Sequence, residues 1–300
     1  MGATREGWYE RDELKKVTLD WVKANVRLTK REEELLPIIY DRKLVKRDHL
    51  EIISPSYRKE ENRTSLLNRA IKKLFKKSVL DKIHEEQEWG KGSNPSIVAI
   101  DKAGAMILGK PFKRRIIHKN KSLKDGERPI RRLPSNFRHI NGVNQVEVET
   151  ILFCEKFGYE IVLWELEQPK RFKHNETEIL LIPDVLMLLN VNESYLACFI
   201  EYDTGSEGIR EKEPKVIEEK LIKYKRYKSS ILWEGEEWQK YFKGKQFPLT
   251  LFITEDSKRI EFVNRKSKEL GVQVLALYYK NYESVLNKLV EIMKKNSPTE

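Results

Sequence analysis

Acidic residues bracket two consecutive apolar segments, and that pattern limits what this chain can fold into. Ile182-Pro183-Asp184 opens the first run, and Phe199-Ile200-Glu201-Tyr202-Asp203 ends the second. Strand side chains alternate between faces, so Glu201 and Asp203 share one. An unpaired carboxylate among apolar side chains costs several kcal/mol. A compensating cation is therefore expected, and an all-oxygen donor set suits Mg2+ or Mn2+. Asp184 and Glu201 are the first two candidate ligands, and Asp203 is the third.

Charge is spread unevenly over the 300 residues. Residues 1–140 hold 34 Lys and Arg against 20 Asp and Glu, net +14, and residues 141–300 hold 24 against 27, net −3. A basic front half joined to a slightly acidic back half reads as a polyanion-binding module attached to something else. Cys154 and Cys198 both lie in apolar runs, which fits buried free thiols better than a disulfide framework. No apolar run reaches membrane-spanning length, and the charged N-terminus does not resemble a signal peptide. A cytoplasmic location without membrane insertion is expected.

Apolar spacing predicts a leader helix over 10–24 and a helix opened by a Thr29/Glu32 capping box. Pro37 is expected to kink or shorten that helix. Further helices fit Asp48–Ile53 and Thr64–Lys77. The second has an apolar stripe and a basic face of Arg69, Lys72, Lys73, Lys76 and Lys77. Two strands, Val79–Ile83 and Ser96–Ile100, follow. Three helices and a ribbon give the order of a winged helix-turn-helix over residues 1–109, its third helix suited to the DNA major groove. The alternative is a merely solvated basic face. Residues 110–136, with Arg114 and Arg115 among ten basic residues and several Pro and Gly, read as a linker. It either tracks a phosphate backbone or acts as a solvated tether.

Residues 137–300 change character. Helix Asn144–Phe157 is followed by strands Glu160–Leu166, Thr177–Asn190 and Ser194–Asp203, the last two joined by a hairpin turn. Then come helix Pro214–Lys228, strand Leu249–Thr254, helix Ser257–Leu270 ended by Gly271, strand Gln273–Tyr279 and a closing helix. This is an α/β chain with an αβββαβ core, without a Gly-rich phosphate loop.

Phosphodiester cleavage needs a divalent cation to polarise the phosphate and activate water, and a cationic side chain to meet the charge of the transition state. Asp184, Glu201 and Asp203 offer the ligands. Lys220, with Lys223 second, offers the ammonium, and Tyr224 lies four residues after Lys220 on the same helix face.

These residues resemble the restriction-endonuclease-like, or PD-(D/E)XK, nuclease superfamily. More narrowly, the chain is similar to the plasmid replication-relaxation family, which includes the MOB-C type of conjugative relaxase. The likeness rests on the winged helix, Phe137-Arg138-His139 with Asn144, Pro183-Asp184, the run Glu201 to Glu207, and Lys220 with Tyr224. The superfamily's second motif ends in lysine; here Asp203 stands in its place, a form expected in the narrower family. The resemblance implies catalytic roles for Asp184, Glu201, Asp203 and Lys220, and adds His139, Asn144 and Glu147 as cleft candidates. It implies a metal-dependent nickase that cuts one strand at a plasmid or conjugative-element origin. Its partners would be double-stranded and nicked DNA and other relaxosome or transfer proteins. The competing reading is a non-catalytic DNA-binding regulator of replication or transcription that keeps the nuclease-like scaffold. An RNA-processing nuclease fits less well, because a basic third helix more often reads duplex DNA.

Overall fold

The computed structural model of the chain describes residues 17–85, 94–119, 130–205 and 213–296. Helix α1 (Leu19–Asn25) is capped by the Thr18 side chain; residues 10–16 of the expected leader helix lie outside the described residues. Helix α2 (Lys30–Arg42) carries the expected capping box, with Thr29 accepting from the Glu32 amide and Glu32 accepting from the Thr29 amide. Pro37 sits inside α2 without ending it. The reason is position: Pro37 and Glu33 lie on the exposed face, where water can satisfy the carbonyl that Pro37 leaves without a donor.

Strand β1 (Val45–Lys46) leads into α3 (Arg47–Ile53), α4 (Pro55–Arg58) and α5 (Arg63–Lys76). Proline cannot continue the ladder of α3 but suits the first turn of α4. Strands β2 (Leu80–His84) and β3 (Ser96–Ile100) complete a three-stranded antiparallel sheet in the order β1-β3-β2. Leu35, Leu36 and Ile39 of α2, Leu50 of α3 and Leu67 and Leu74 of α5 are fully buried, so each helix commits one apolar stripe to a shared core. Helix α6 (Lys102–Leu108), capped by Asp101, was not expected from the sequence. It approaches the chain so closely that a Cβ on Gly104 would lie 2.3 Å from the Val79 carbonyl oxygen.

The basic segment is not wholly a tether. Strand β4 (Ile117–Lys119) pairs antiparallel with β5 (Ile130–Arg132), and Ile116 is buried beside Leu44, Ile97 and Phe137. Residues 120–129 lie outside the described residues. Packing divides the chain at Val148/Glu149, within α7 (Phe137–Phe157), rather than at residue 136.

The second unit is built on a mixed five-stranded sheet in the order β12-β11-β10-β9-β6. Its strands are β6 (Glu160–Leu166), β9 (Val185–Val191), β10 (Ser194–Asp203), β11 (Leu249–Thr254) and β12 (Val274–Tyr278). β6, β9 and β10 pair antiparallel; β10, β11 and β12 run parallel. With α7 before β6, and α8 (Glu213–Ser229) and α9 (Ser257–Leu270) as the crossovers, the expected αβββαβ order is present in this sheet. α10 (Tyr282–Asn296) closes it.

The single strand expected over 177–190 is in fact two. β8 (Thr177–Leu181) turns back onto β7 (Lys170–His174), and β9 joins the main sheet. Pro183 has no amide to donate and stands at the break. Leu186, Leu188, Ala197 and Phe199 face Tyr224 and Tyr227 of α8, together with Trp233 and Trp238 from two short 3-10 turns. On the opposite face Met187 meets Tyr282 of α10, whose hydroxyl is 2.8 Å from Thr150. Both cysteines are free and buried, as expected.

Candidate active site

Strand register brings Asp184 and Glu201 together. Val185 pairs with Ile200, so the preceding residue, Asp184, arrives at the level of Glu201. Asp184 has the parity of Leu186 and Leu188, and Glu201 that of Phe199, so both belong to the α8 face. Asp184 is fixed twice: its carbonyl accepts from the Glu167 amide at 3.0 Å, and its carboxylate accepts from the Tyr202 amide at 2.8 Å. Its side chain is 13% exposed.

Glu201 is 2% exposed, and its two oxygens are taken by different donors, the Lys220 ammonium and the Tyr224 hydroxyl. Both donors come from α8, one turn apart, as the four-residue spacing predicts. The Lys220 nitrogen also lies 4.0 Å from Asp184, so one ammonium serves two carboxylates. Its side chain keeps 34% of its surface in solvent. Burial pushes the Glu201 carboxyl up to about 7, with Asp184's charge acting in the same direction and Lys220 opposing it. Burial works against the charge of Lys220, but Glu201 and Asp184 outweigh it and the ammonium is held above its ordinary range. Burial, reinforced by Glu201, lifts Tyr224 well above a normal phenol, so it remains a protonated donor.

Asp203 does not join this group as a third ligand. Arg259 of α9 donates to one of its oxygens and Thr254 to the other, each at 2.8 Å. Arg259 is the residue that sequence reasoning missed. It stands 56 positions from Asp203, and only the parallel pairing of β10 with β11, which leads into α9, brings them together. Tyr202 donates to Glu255 at 3.1 Å. Ser206 and Glu207, part of the acidic run, lie outside the described residues.

The remaining candidates from α7 pack within the first unit. Asn144 donates to the Leu44 carbonyl at 2.9 Å, and Glu147 is buried in a two-pronged pair with Arg42. Those contacts use the polar groups expected to line a cleft. His139 is half-buried on the same helix. On α5, Arg69, Lys72 and Lys76 are exposed and Lys77 half-exposed, but Lys73 is tied to Glu32 at 2.7 Å. Arg114 is exposed and Arg115 half-exposed.

Among the described residues no three His, Cys, Asp or Glu side chains form a metal shell. Asp184 and Glu201 still supply two adjacent hard oxygen donors, and Mg2+ commonly takes only one or two carboxylates and keeps its waters. The pair therefore fits such an ion as a two-carboxylate site, on condition that Lys220 yields its place at Glu201.

Residues 38–239, about two thirds of the chain, match the replication-relaxation family, and the chain belongs to that family. No curated protein matches it. Two solved structures show a distant likeness. Protein VC1899 from Vibrio cholerae is 13% identical, over 84% of this chain and 46% of that one, with a TM-score of 0.33. Restriction endonuclease FokI bound to DNA is 12% identical, over 91% and 49%, with a TM-score of 0.27. The chain thus spans about half the length of either.

Proposed function

We infer that the chain is a metal-dependent, site-specific DNA nickase of the MOB-C relaxase type, acting at the origin of a plasmid or conjugative element. Family membership supports a role in replication or transfer of such DNA. The observation that carries the nickase reading is the convergence of Asp184, Glu201 and Lys220 on one face of the sheet. It has the composition of a PD-(D/E)XK site whose lysine is supplied by α8 instead of the strand, which answers the presence of Asp203 at the lysine position.

In this reading Asp184 and Glu201 hold Mg2+ or Mn2+. The chemistry such an ion supplies is polarisation of the phosphate and activation of a water. Lys220 holds its positive charge at the solvent edge of the pair, where an entering phosphate would meet it. Tyr224 orients Glu201. Its hydroxyl is buried and engaged, which suits a positioning residue and not a nucleophile. The first unit, read as a winged helix, delivers duplex DNA through the basic face of α5, with Arg114 and Arg115 as further phosphate contacts.

A second reading has an observation of its own. Both oxygens of Glu201 are already satisfied within the protein, which favours a scaffold that binds DNA without cutting it. One experiment separates the two. Supercoiled plasmids carrying candidate origins are incubated with the full chain and Mg2+ or Mn2+. The nickase reading expects open-circular product from wild type and none from Asp184→Ala. DNA retention without nicking under either ion would establish the scaffold reading.

A further inference from the structure

Helix α5 presents two chemically different halves to solvent. Its buried stripe is Leu67, Ala70, Ile71, Leu74 and Phe75. At 100° per residue, the line opposite that stripe runs through Ser65, Arg69, Lys72 and Lys76, with Asn68 at its flank. The C-terminal half ends in lysines. The N-terminal half instead carries Thr64, Ser65, Asn68 and Arg69, all exposed, around a shallow concavity of about 480 Å³ that extends to Lys72. Among the described residues, the side chains of Ser65, Asn68, Arg69 and Lys72 make no hydrogen bond or ion pair. Lys73, by contrast, is already spent on Glu32.

Lysines are point charges that suit phosphate. A carboxamide and a guanidinium each offer two hydrogen-bonding groups in a plane, and those geometries match base edges: Asn with adenine N6 and N7, Arg with guanine O6 and N7. A helix lying in the major groove contacts base edges with its N-terminal residues. Glu61 and Asn62 complete the lining, and Ser65, Asn68 and Arg69 within it are residue types that discriminate sequence, at the end of the helix that can reach base edges.

We propose that the N-terminal half of α5 is the base-reading surface of this protein. Asn68 engages an adenine and Arg69 a guanine through their major-groove edges, while Lys72, Lys76 and Lys77 hold flanking phosphates. Ser65 lies beside Arg69 and has room for a further base contact. This rests on the DNA-binding reading of the first unit and names the residues that give it sequence preference.

The test uses the full chain and a pool of randomised duplexes. Wild type is used to select a preferred site. Binding of Asn68→Ala, Arg69→Ala and Lys76→Ala is then measured on that site, on its single-base-pair variants and on unselected duplex, at several salt concentrations. Arg69→Ala is expected to lose about ten- to a hundredfold on the selected site and to tolerate any pair at one G·C position. Asn68→Ala is expected to relax one A·T position. Lys76→Ala should weaken all duplexes alike and reduce the salt slope by about one. The residues are exposed, so unchanged melting temperatures are expected and confirm folding.

Uniform weakening of all duplexes by Asn68→Ala and Arg69→Ala would overturn the base-reading assignment and leave DNA binding intact. So would a wild type that holds duplex DNA without enriching any site. A wild type that retains no duplex would remove the DNA-binding reading itself, and this assignment with it.

Discussion

Arg259 donates to the Asp203 carboxylate at 2.8 Å, from a side chain only 11% exposed. A carboxylate held this way by a guanidinium and by Thr254 is a structural tie between β10, β11 and α9. Asp203→Asn is expected to cost about 1–3 kcal/mol in urea unfolding, because Arg259 loses its charged acceptor. The heat of Mn2+ binding should match wild type in calorimetry. Loss of that heat at unchanged stability would return Asp203 to the metal site.

Lys220 and Lys223 are alternative sources of the site's ammonium, and the geometry separates them. Lys220 touches Glu201 and approaches Asp184; Lys223 makes neither contact. Lys220→Ala is expected to slow nicking by on the order of a hundredfold or more, the scale of losing a preorganised donor. Lys223→Ala should nick at close to the wild-type rate. The reverse ranking would move the role to Lys223.

His49 gives the first unit a defined pH response. Its ring is buried, with Nε2 at 2.9 Å from Gln145 and Nδ1 without a partner among the described residues. Burial holds its pKa below the ordinary 6.5, against the pull of Asp48 and Gln145. The unfolded chain therefore takes up a proton that the folded chain resists. This contribution to stability is fully present above the ordinary value and is lost as pH falls towards the folded one. His84, also lowered by burial, acts in the same direction. Unfolding free energy should fall as pH drops through the ordinary histidine value of 6.5 towards the lowered folded one, and fall less in His49→Gln. Superimposed profiles would exclude His49 as a source.

Gly104 is set by steric contact. An added methyl group would meet a backbone oxygen, which cannot rotate away as a side chain can. Gly104→Ala is expected to destabilise the chain by about 1–3 kcal/mol or more, measured by thermal or urea unfolding. An unchanged midpoint would mean that α6 shifts freely on β2.

Much of this was legible in the sequence because local signals carried it. The capping box at Thr29, the limits of β10 and β11, and the Gly271 stop of α9 follow from short-range chemistry. Lys220 and Tyr224 were legible as a pair because helical spacing is local. Asp203 was placed on the correct face, but its partner was not readable, since period-two alternation fixes a direction and not a neighbour. Pro37 does not end α2, because it lies on the exposed face, and a sequence does not reveal which helix face meets water. The division of the chain at Val148 was hidden in the same way: Asn144 and Glu147 find Leu44 and Arg42 across about a hundred residues, and no spacing rule spans that distance.

The turn at Asn192-Glu193 lies at the far end of its hairpin from the two carboxylates. Both residues have positive φ, the pattern of a tight two-residue hairpin turn, and seven uninterrupted pairs run from Ser194↔Val191 to Ile200↔Val185. The spacing of Asp184 from Glu201 is therefore metered from that turn, step by step along the ladder. A slip of one residue between these strands would leave the hairpin paired but out of phase, and a carboxylate would emerge on the wrong side of the sheet. The β7–β8 hairpin carries no such count. Its tip at Asn175-Glu176 is where this unit can change length without disturbing its chemistry.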